Sequence, residues 1–274
     1  MNRALVVLLS LGLLYSCTEQ PVNTINENPA PKEENFIPNI EYTITGSIPH
    51  DTSSFTEGLL FHDQQLFEST GSPAEYHQTK SLLGIVDVKT GKINKKVELD
   101  RNIYFGEGIV FFKNKIYQLT YKNQTGFIYD AKSYKKTGQF EYKNKEGWGL
   151  TTDGTAIIMS DGTSTLTYLD PENFRVIKTL KVTNNGSDEE YLNELEYIKG
   201  FIYANIWTKN YIVKIAPESG KIVGILDLSN IYYKAKNKYP NSLETNGIAF
   251  NPETNKIYIT GKLWPAIYIL DFPH

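Results

Sequence analysis

EGIVFFKNKIYQLT, residues 107–120, decides the fold. An acid and a glycine lead into the apolar run Ile109-Val110-Phe111-Phe112. A polar turn follows at Lys113-Asn114, then a second apolar run. Short β-rich runs broken by Asn, Gly, Asp and Lys read as strand, turn, strand. The same pattern recurs as EGLLFHDQQLFEST (57–70), WGLTTDGTAIIMSD (148–161), NELEYIKGFIYANI (193–206) and NGIAFNPETNKIYIT (246–260). A third strand follows each pair: LLGIVDV, GFIYDA, TLTYLDP, YIVKIAP and AIYILDF. Four units add a fourth: KINKKVELD, KKTGQFEY, RVIKTLKV and KIVGILDL. No stretch shows sustained helical periodicity, so the class is all-β.

Residues 41–274 divided among five units give about 47 residues each, within the span of β-propeller blades. The fifth unit lacks a fourth strand. EYTITGSI (41–48), before the first unit, is the spare. The expected architecture is therefore a five-bladed β-propeller closed by an N-terminal strand that pairs into the last blade and removes a free edge. A many-stranded sandwich is the alternative, but sandwiches need not repeat so regularly. Such a closed ring needs no partner, and a monomer is expected.

Working outward, residues 1–16 read as a signal peptide. Arg3 precedes the eleven-residue run ALVVLLSLGLL, too short to span a bilayer. Cys17, the only cysteine of the chain, follows Ser16. This resembles a bacterial lipoprotein signal, in which the cysteine is lipidated, although Tyr15 departs from the usual small residue. Residues 17–40 hold four prolines and few aromatics and read as a flexible tether. The expectation is an exported protein, anchored to a bacterial envelope membrane by lipid alone.

Composition excludes several classes. Lys and Arg number 28 against 31 Asp and Glu, a net charge of −3, which argues against a nucleic-acid binder. One cysteine allows no intrachain disulfide, and four scattered histidines form no metal-ligand spacing. No metal and no cofactor is expected. At 40% apolar the chain can bury a sizeable core.

The repeat also locates a site. First strands of propeller blades line the central channel, so equivalent positions converge. The position opening each pattern reads Glu57, Glu107, Trp148, Asn193 and Asn246; Glu194 stands where the other units have glycine. A second equivalent position reads Gly71, Tyr121, Gly162, Trp207 and Lys262. Phe55 and Phe105 lie just before the first position. Together these make an aromatic-walled pocket with two carboxylates and a few amides, the anatomy of a small-molecule site. Taken singly, each tryptophan suits a core and each asparagine a turn. The pair Glu57 and Glu107, each before an apolar strand, is harder to assign to structure, because neighbouring buried carboxylates raise one another's pKa.

The ordered series FTEGLLF, LFESTG, YFGEG, GFIYD, GWGL, SDGTSTL, LNELEY, ANIW, NGIAF and TGKLWP closely resembles the plant- and bacterial-type glutaminyl-peptide cyclotransferases. The resemblance runs from about residue 48 to 270. It implies a five-bladed propeller and metal-free cyclisation of an N-terminal glutamine, in peptides or proteins, to pyroglutamate with release of ammonia. It also implies that Glu107, the acid of YFGEG, is the general acid/base. Phe55, Phe105, Tyr121, Trp148 and Trp207 would shape the pocket, with Glu57, Asn193, Asn246 and Lys262 binding substrate; either Asn193 or Lys262 would steady the oxyanion. The family usually has glutamine at Glu57 and tryptophan at Tyr121. The acidic run Ser187-Asp188-Glu189-Glu190 reads as a solvated loop, or as a preference for basic substrates. Competing readings are a non-catalytic peptide- or glycan-binding propeller and a metal-dependent propeller lactonase.

Overall fold

A computed structural model describes residues 36–274. Cys17, the signal-like run and most of the expected tether lie outside the described residues. After the first strand, β1 (Thr43–Pro49), come four-stranded antiparallel sheets. Blade one is β2 (Phe55–His62), β3 (Gln65–Gly71), β4 (Leu82–Val86) and β5 (Ile93–Glu98). Blade two is β6 (Gly106–Phe112), β7 (Lys115–Thr120), β8 (Thr125–Asp130) and β9 (Lys136–Glu141). Blade three is β10 (Leu150–Thr152), β11 (Ile157–Met159), β12 (Thr165–Leu169) and β13 (Val176–Lys181). A small hairpin, β14 (Thr183–Asn184) with β15 (Ser187–Asp188), leads to blade four: β16 (Leu192–Ile198), β17 (Phe201–Ile206), β18 (Tyr211–Ile215) and β19 (Ile222–Asp227). Helix α1 (Ser229–Lys238) precedes β20 (Thr245–Asn251), β21 (Lys256–Gly261) and β22 (Ala266–Asp271).

The inner strands form a ring: β2 packs on β6, β6 on β10, β10 on β16, β16 on β20 and β20 on β2. The arrangement is a five-bladed propeller. In the fifth sheet the order is β1-β22-β21-β20, and β1 pairs antiparallel with β22 from Thr43↔Asp271 to Pro49↔Ala266. Apolar side chains alternate inward along each strand and fill the gaps between neighbouring sheets; Leu83, Ile116, Ile157 and Ile202 are fully buried there. Outer strands such as β13 (VIKTLK) are mostly exposed.

The ring is tight at one level. Register shifts fall at Thr56/Gly58 in β2, Gly106/Ile109 in β6, Leu192/Leu195 in β16 and Thr245/Ile248 in β20. These are β-bulges at one repeated position, and each re-aims a side chain. Neighbouring backbones meet beside them: Gly108 N–H donates to Trp148 O at 2.7 Å. A β-carbon at Gly149 would lie 2.2 Å from Asn193 O, so the recurring glycine is a requirement of this approach. In unit four Glu194 takes its place. Its carboxylate reaches across the axis, accepting from Leu59 N–H at 3.1 Å and Ile248 N–H at 2.9 Å. Below it Glu196 accepts from Phe250 N–H at 2.9 Å. The axis beneath the bulges is thus closed by side chains.

Two features depart from the sequence reading. Helix α1 was not expected. Its only buried residues are Ile231 and Ala235, one turn apart, too few to produce a visible period among tyrosines and lysines. Just before the helix the Asp227 carboxylate accepts from Ser229 N–H at 2.9 Å, and Lys236 and Lys238 suit its C-terminal end. The ordered chain also reaches into the expected tether. Ile40 N–H donates to Ile225 O at 2.7 Å and Ile225 N–H to Pro38 O at 3.0 Å, because Ile37 and Ile40 have apolar surface to pack against blade four.

His50, just past β1, joins blades one and five. Its Nδ1 lies 2.8 Å from Trp264 O and its Nε2 lies 3.0 Å from Glu68 Oε1. Both ring nitrogens face acceptors, an arrangement that favours the protonated ring. Burial pulls its pKa down, but the Glu68 charge and these hydrogen bonds outweigh burial and hold it above the ordinary value.

Two outcomes are expected. Gly149→Ala should cost about 2–3 kcal/mol by overpacking, whereas Gly138→Ala, whose β-carbon would meet nothing nearer than 3.6 Å, should be near neutral; denaturant unfolding of both checks this. The folded pKa of His50 lies above its unfolded value of about 6.5. Its stabilising contribution is therefore complete below that pH and is lost as pH rises through the folded pKa. The melting temperature of the native protein should fall on that alkaline side relative to His50→Gln.

Candidate active site

The bulges turn Glu57, Glu107, Asn193 and Asn246 toward the top of the axis, where all four are buried. Glu57 is the most heavily bonded. Its Oε1 lies 3.0 Å from Lys262 Nζ, and its Oε2 accepts from Asn246 Nδ2 at 3.0 Å. Lys262 also lies 3.5 Å from Glu244 and sits 4.6 Å over the Phe55 ring. Among the described residues no protein donor reaches the Glu107 carboxyl. Asn193 Oδ1 and Asn246 Oδ1 are buried without protein partners.

These surroundings set the charges. Burial pushes Glu57 up to about 7 against the pull of Lys262. Glu107 is driven well above the usual carboxylate range, first by burial and then by the charge of Glu57; Lys262 opposes the shift. Burial pulls the Lys262 ammonium down, but Glu57, Glu244 and Glu107 outweigh it and keep it protonated. One carboxyl of the site is thus ion-paired to Lys262, while the other is raised by burial and a like charge and has no cation bonded to it.

The aromatic wall surrounds this cluster in two arcs. In one, Phe55 meets Phe105 edge to face at 6.0 Å, and Phe105 meets Tyr121 at 5.7 Å. In the other, Trp148 meets Trp207 edge to face at 5.8 Å. The glycines of the second equivalent position make room for rings. A β-carbon at Gly71 would strike Phe105, and one at Gly162 would strike Trp148. All ten residues singled out in the sequence therefore belong to the top of the inner ring. The polar contacts knit Glu57, Asn246 and Lys262 directly, while Glu107 and Asn193 stand free of side-chain bonds.

The sequence reading missed a third ring of positions. Two residues before each opening position come Phe55, Phe105, Glu146, Tyr191 and Glu244. Only the two phenylalanines were noticed, because the residue types differ between units; the constant offset of two was the available signal. Glu146 and Glu244 each hold an indole. Trp148 Nε1 donates to Glu146 at 3.0 Å, and Trp207 Nε1 donates to Glu244 at 2.9 Å. Tyr76, from the loop after β3, adds a ring 6.0 Å from Phe55. The acidic run 187–190 is not a free loop. Asp188 pairs with Lys181 at 2.9 Å. Glu189 is buried, accepting from Tyr211 Oη at 2.9 Å and Asn184 Nδ2 at 2.8 Å. Among the described residues no three His, Cys, Asp or Glu side chains gather as a metal site, and no helix is long and apolar enough to cross a membrane.

Comparison with known proteins gives one consistent result. Residues 14–272 match the family described as glutamine cyclotransferase. A glutaminyl-peptide cyclotransferase of Arabidopsis thaliana is 38% identical over 230 residues, covering 83% of this chain and 70% of the plant protein. The crystal structure of Myxococcus xanthus glutaminyl cyclase superposes with a TM-score of 0.76 at 30% identity, covering 84% of this chain and 96% of that one.

Removing the cation should expose the balance within the pocket. In Lys262→Met, Glu57 loses its ion pair and should titrate above the value of about 7 that burial and Lys262 together set. Carboxyl NMR titration of the folded variant checks this; an unchanged or lower value contradicts it.

Proposed function

Because this chain belongs to the glutamine cyclotransferase family, and is a transferase of that type, we propose that it cyclises N-terminal glutamine without a metal, using Glu107 as general acid and base. The observation that carries this reading is the state of Glu107: a buried carboxyl with no protein donor, beside a carboxylate already ion-paired to Lys262.

The reaction requires one proton to change nitrogens. The substrate's α-amine attacks the side-chain amide carbon, forming a C–N bond and a tetrahedral centre. The attacking nitrogen must lose a proton and the departing nitrogen must gain one, so that ammonia leaves rather than an amide anion. Glu107 serves both needs: it gives its proton to the leaving nitrogen and takes one from the attacking nitrogen, and ends as it began. A carboxyl held above its ordinary pKa is suited to this exchange near neutral pH. Lys262 supplies the cation for the carbonyl oxygen as it becomes negative. Asn193 Oδ1, buried and without a protein partner, accepts from the amide nitrogen of the substrate. Glu57 faces the α-amine. The attack is intramolecular, so the aromatic arcs contribute by holding the glutamine side chain curled and by excluding water.

Peptides and proteins with N-terminal glutamine are the proposed substrates. The proposed location, a bacterial envelope membrane at its periplasmic face or the cell surface through a lipid on Cys17, rests on the sequence of residues 3–17 alone.

Ammonia release from a Gln-Ala-Ala peptide tests the reading. Native protein should turn over with or without a chelator. Glu107→Gln should lose about 10²–10⁴-fold in kcat while melting no lower than native, since the amide has the same shape and no buried charge to desolvate. Full activity in that variant would remove Glu107 from its role. No turnover by folded native protein would overturn the cyclase assignment itself.

A further inference from the structure

The plugged axis dictates where the rest of a substrate goes. Glu194 spans the ring from β16 to the backbone of β2 and β20, and Glu196 lies below it. A peptide whose first residue occupies the pocket must therefore leave through the mouth by which it entered. One side of that mouth carries exposed aromatic surface continuous with the pocket wall. Trp148 packs edge-on against Trp207, and Trp207 against Tyr191, with centroids 5.8 Å apart in each pair. Trp207 is 38% exposed and Tyr191 is 49% exposed. The other large exposed apolar side chains, such as Ile103, Ile177 and Tyr233, have no ring contact with the wall.

Tyr191 occupies the register that in blades one and two holds Phe55 and Phe105, yet its ring stands at the surface. It is held there against its own backbone preference, at φ +67, a conformation costly for an aromatic residue and often found at functional positions. The surrounding bonds fix it. Tyr191 N–H donates to Gly162 O at 2.8 Å, Trp207 N–H donates to Tyr191 O at 2.9 Å, and the buried Glu189 carboxylate anchors the preceding residues through Tyr211 and Asn184. Asp188 and Glu189 are engaged, and Glu190 beside Tyr191 is exposed with no ion-pair partner among the described residues, so this side of the mouth offers a stacking surface next to one exposed acid.

We propose that Tyr191 and Trp207 form a subsite for the residue that follows the N-terminal glutamine, and that it favours an aromatic side chain there. The proposal rests on the cyclase reading. It adds substrate selection at a surface outside the reacting centre.

The test compares Gln-Phe-Ala, Gln-Ala-Ala and Gln-Arg-Ala on native protein and on Tyr191→Gly. Glycine suits the positive φ, so this variant should fold at least as well. Native protein should favour Gln-Phe-Ala over Gln-Ala-Ala about fivefold in kcat/KM, as one stacked ring allows, with the difference in KM. Tyr191→Gly should reduce that ratio to about one by raising KM for Gln-Phe-Ala more than for Gln-Ala-Ala. Equal native rates for the phenylalanine and alanine peptides, or a preference that survives in the variant, would overturn the subsite while leaving the cyclase reading intact. A native preference for Gln-Arg-Ala over Gln-Phe-Ala would overturn it in favour of charge recognition. Failure of all three peptides to release ammonia would overturn both.

Discussion

Five backbones meeting at one level of a narrow ring is the constraint on which the rest depends. At that level the strands bulge, and a bulge leaves one residue outside the ladder, free to point along the axis instead of into a sheet face. Glycine beside it lets the next backbone come within hydrogen-bonding distance, as between Gly108 and Trp148. Packing demand and functional placement are thus one event. In four of the five units the same local break that lets the blades close supplies the inward-facing acid or amide. Unit four solves the packing differently, with Glu194 bonding to backbone N–H groups across the axis. The one irregular repeat therefore both seals the channel and ties three blades together.

The strand pattern and the pocket were legible in the sequence for related reasons. Each blade repeats a period, and the residue before the shared glycine is marked by its offset from an apolar run. Position in a repeat is visible without knowing contacts, which is why Glu57, Glu107, Trp148, Asn193 and Asn246 could be found together. Glu146, Tyr191 and Glu244 share an equally fixed offset, but they escaped because residue type varies across the ring. Pairings were not legible at all. Nothing in the sequence says that Lys262 chooses Glu57 and Glu244, or that each rim carboxylate holds an indole N–H. Helix α1 failed to show for a different reason. Two buried residues make no period, and its place is set by packing on Leu228 and Trp264.

The axis is also an electrostatic column. Glu57, Glu107 and Glu194 are buried along it, Glu196 is half-buried below them, and Lys262 is the cation at its top. Burial drives Glu107 and Glu194 well above the carboxylate range and Glu196 to about 8, whereas Lys262 limits the rise of Glu57 to about 7. Carboxyls of one type thus rise to different extents, and the one ion-paired to Lys262 is held back. The contrast between Glu57 and Glu107 arises from neighbours, since both occupy the same repeat position.

Glu194 spans the axis beneath the pocket, which leaves the mouth as the way in. In the proposed reaction, ammonia forms at the inner end while the newly cyclised peptide still occupies that mouth. Departure is therefore a queue: the small product either slips past its larger sibling or waits until that sibling has gone. An aromatic mouth that holds a peptide for reaction, as the proposed subsite would, also detains it afterwards. A firmer grip on the second residue would consequently trade faster capture for slower clearance. Turnover in such a cul-de-sac is governed by traffic through its mouth as much as by chemistry at its base.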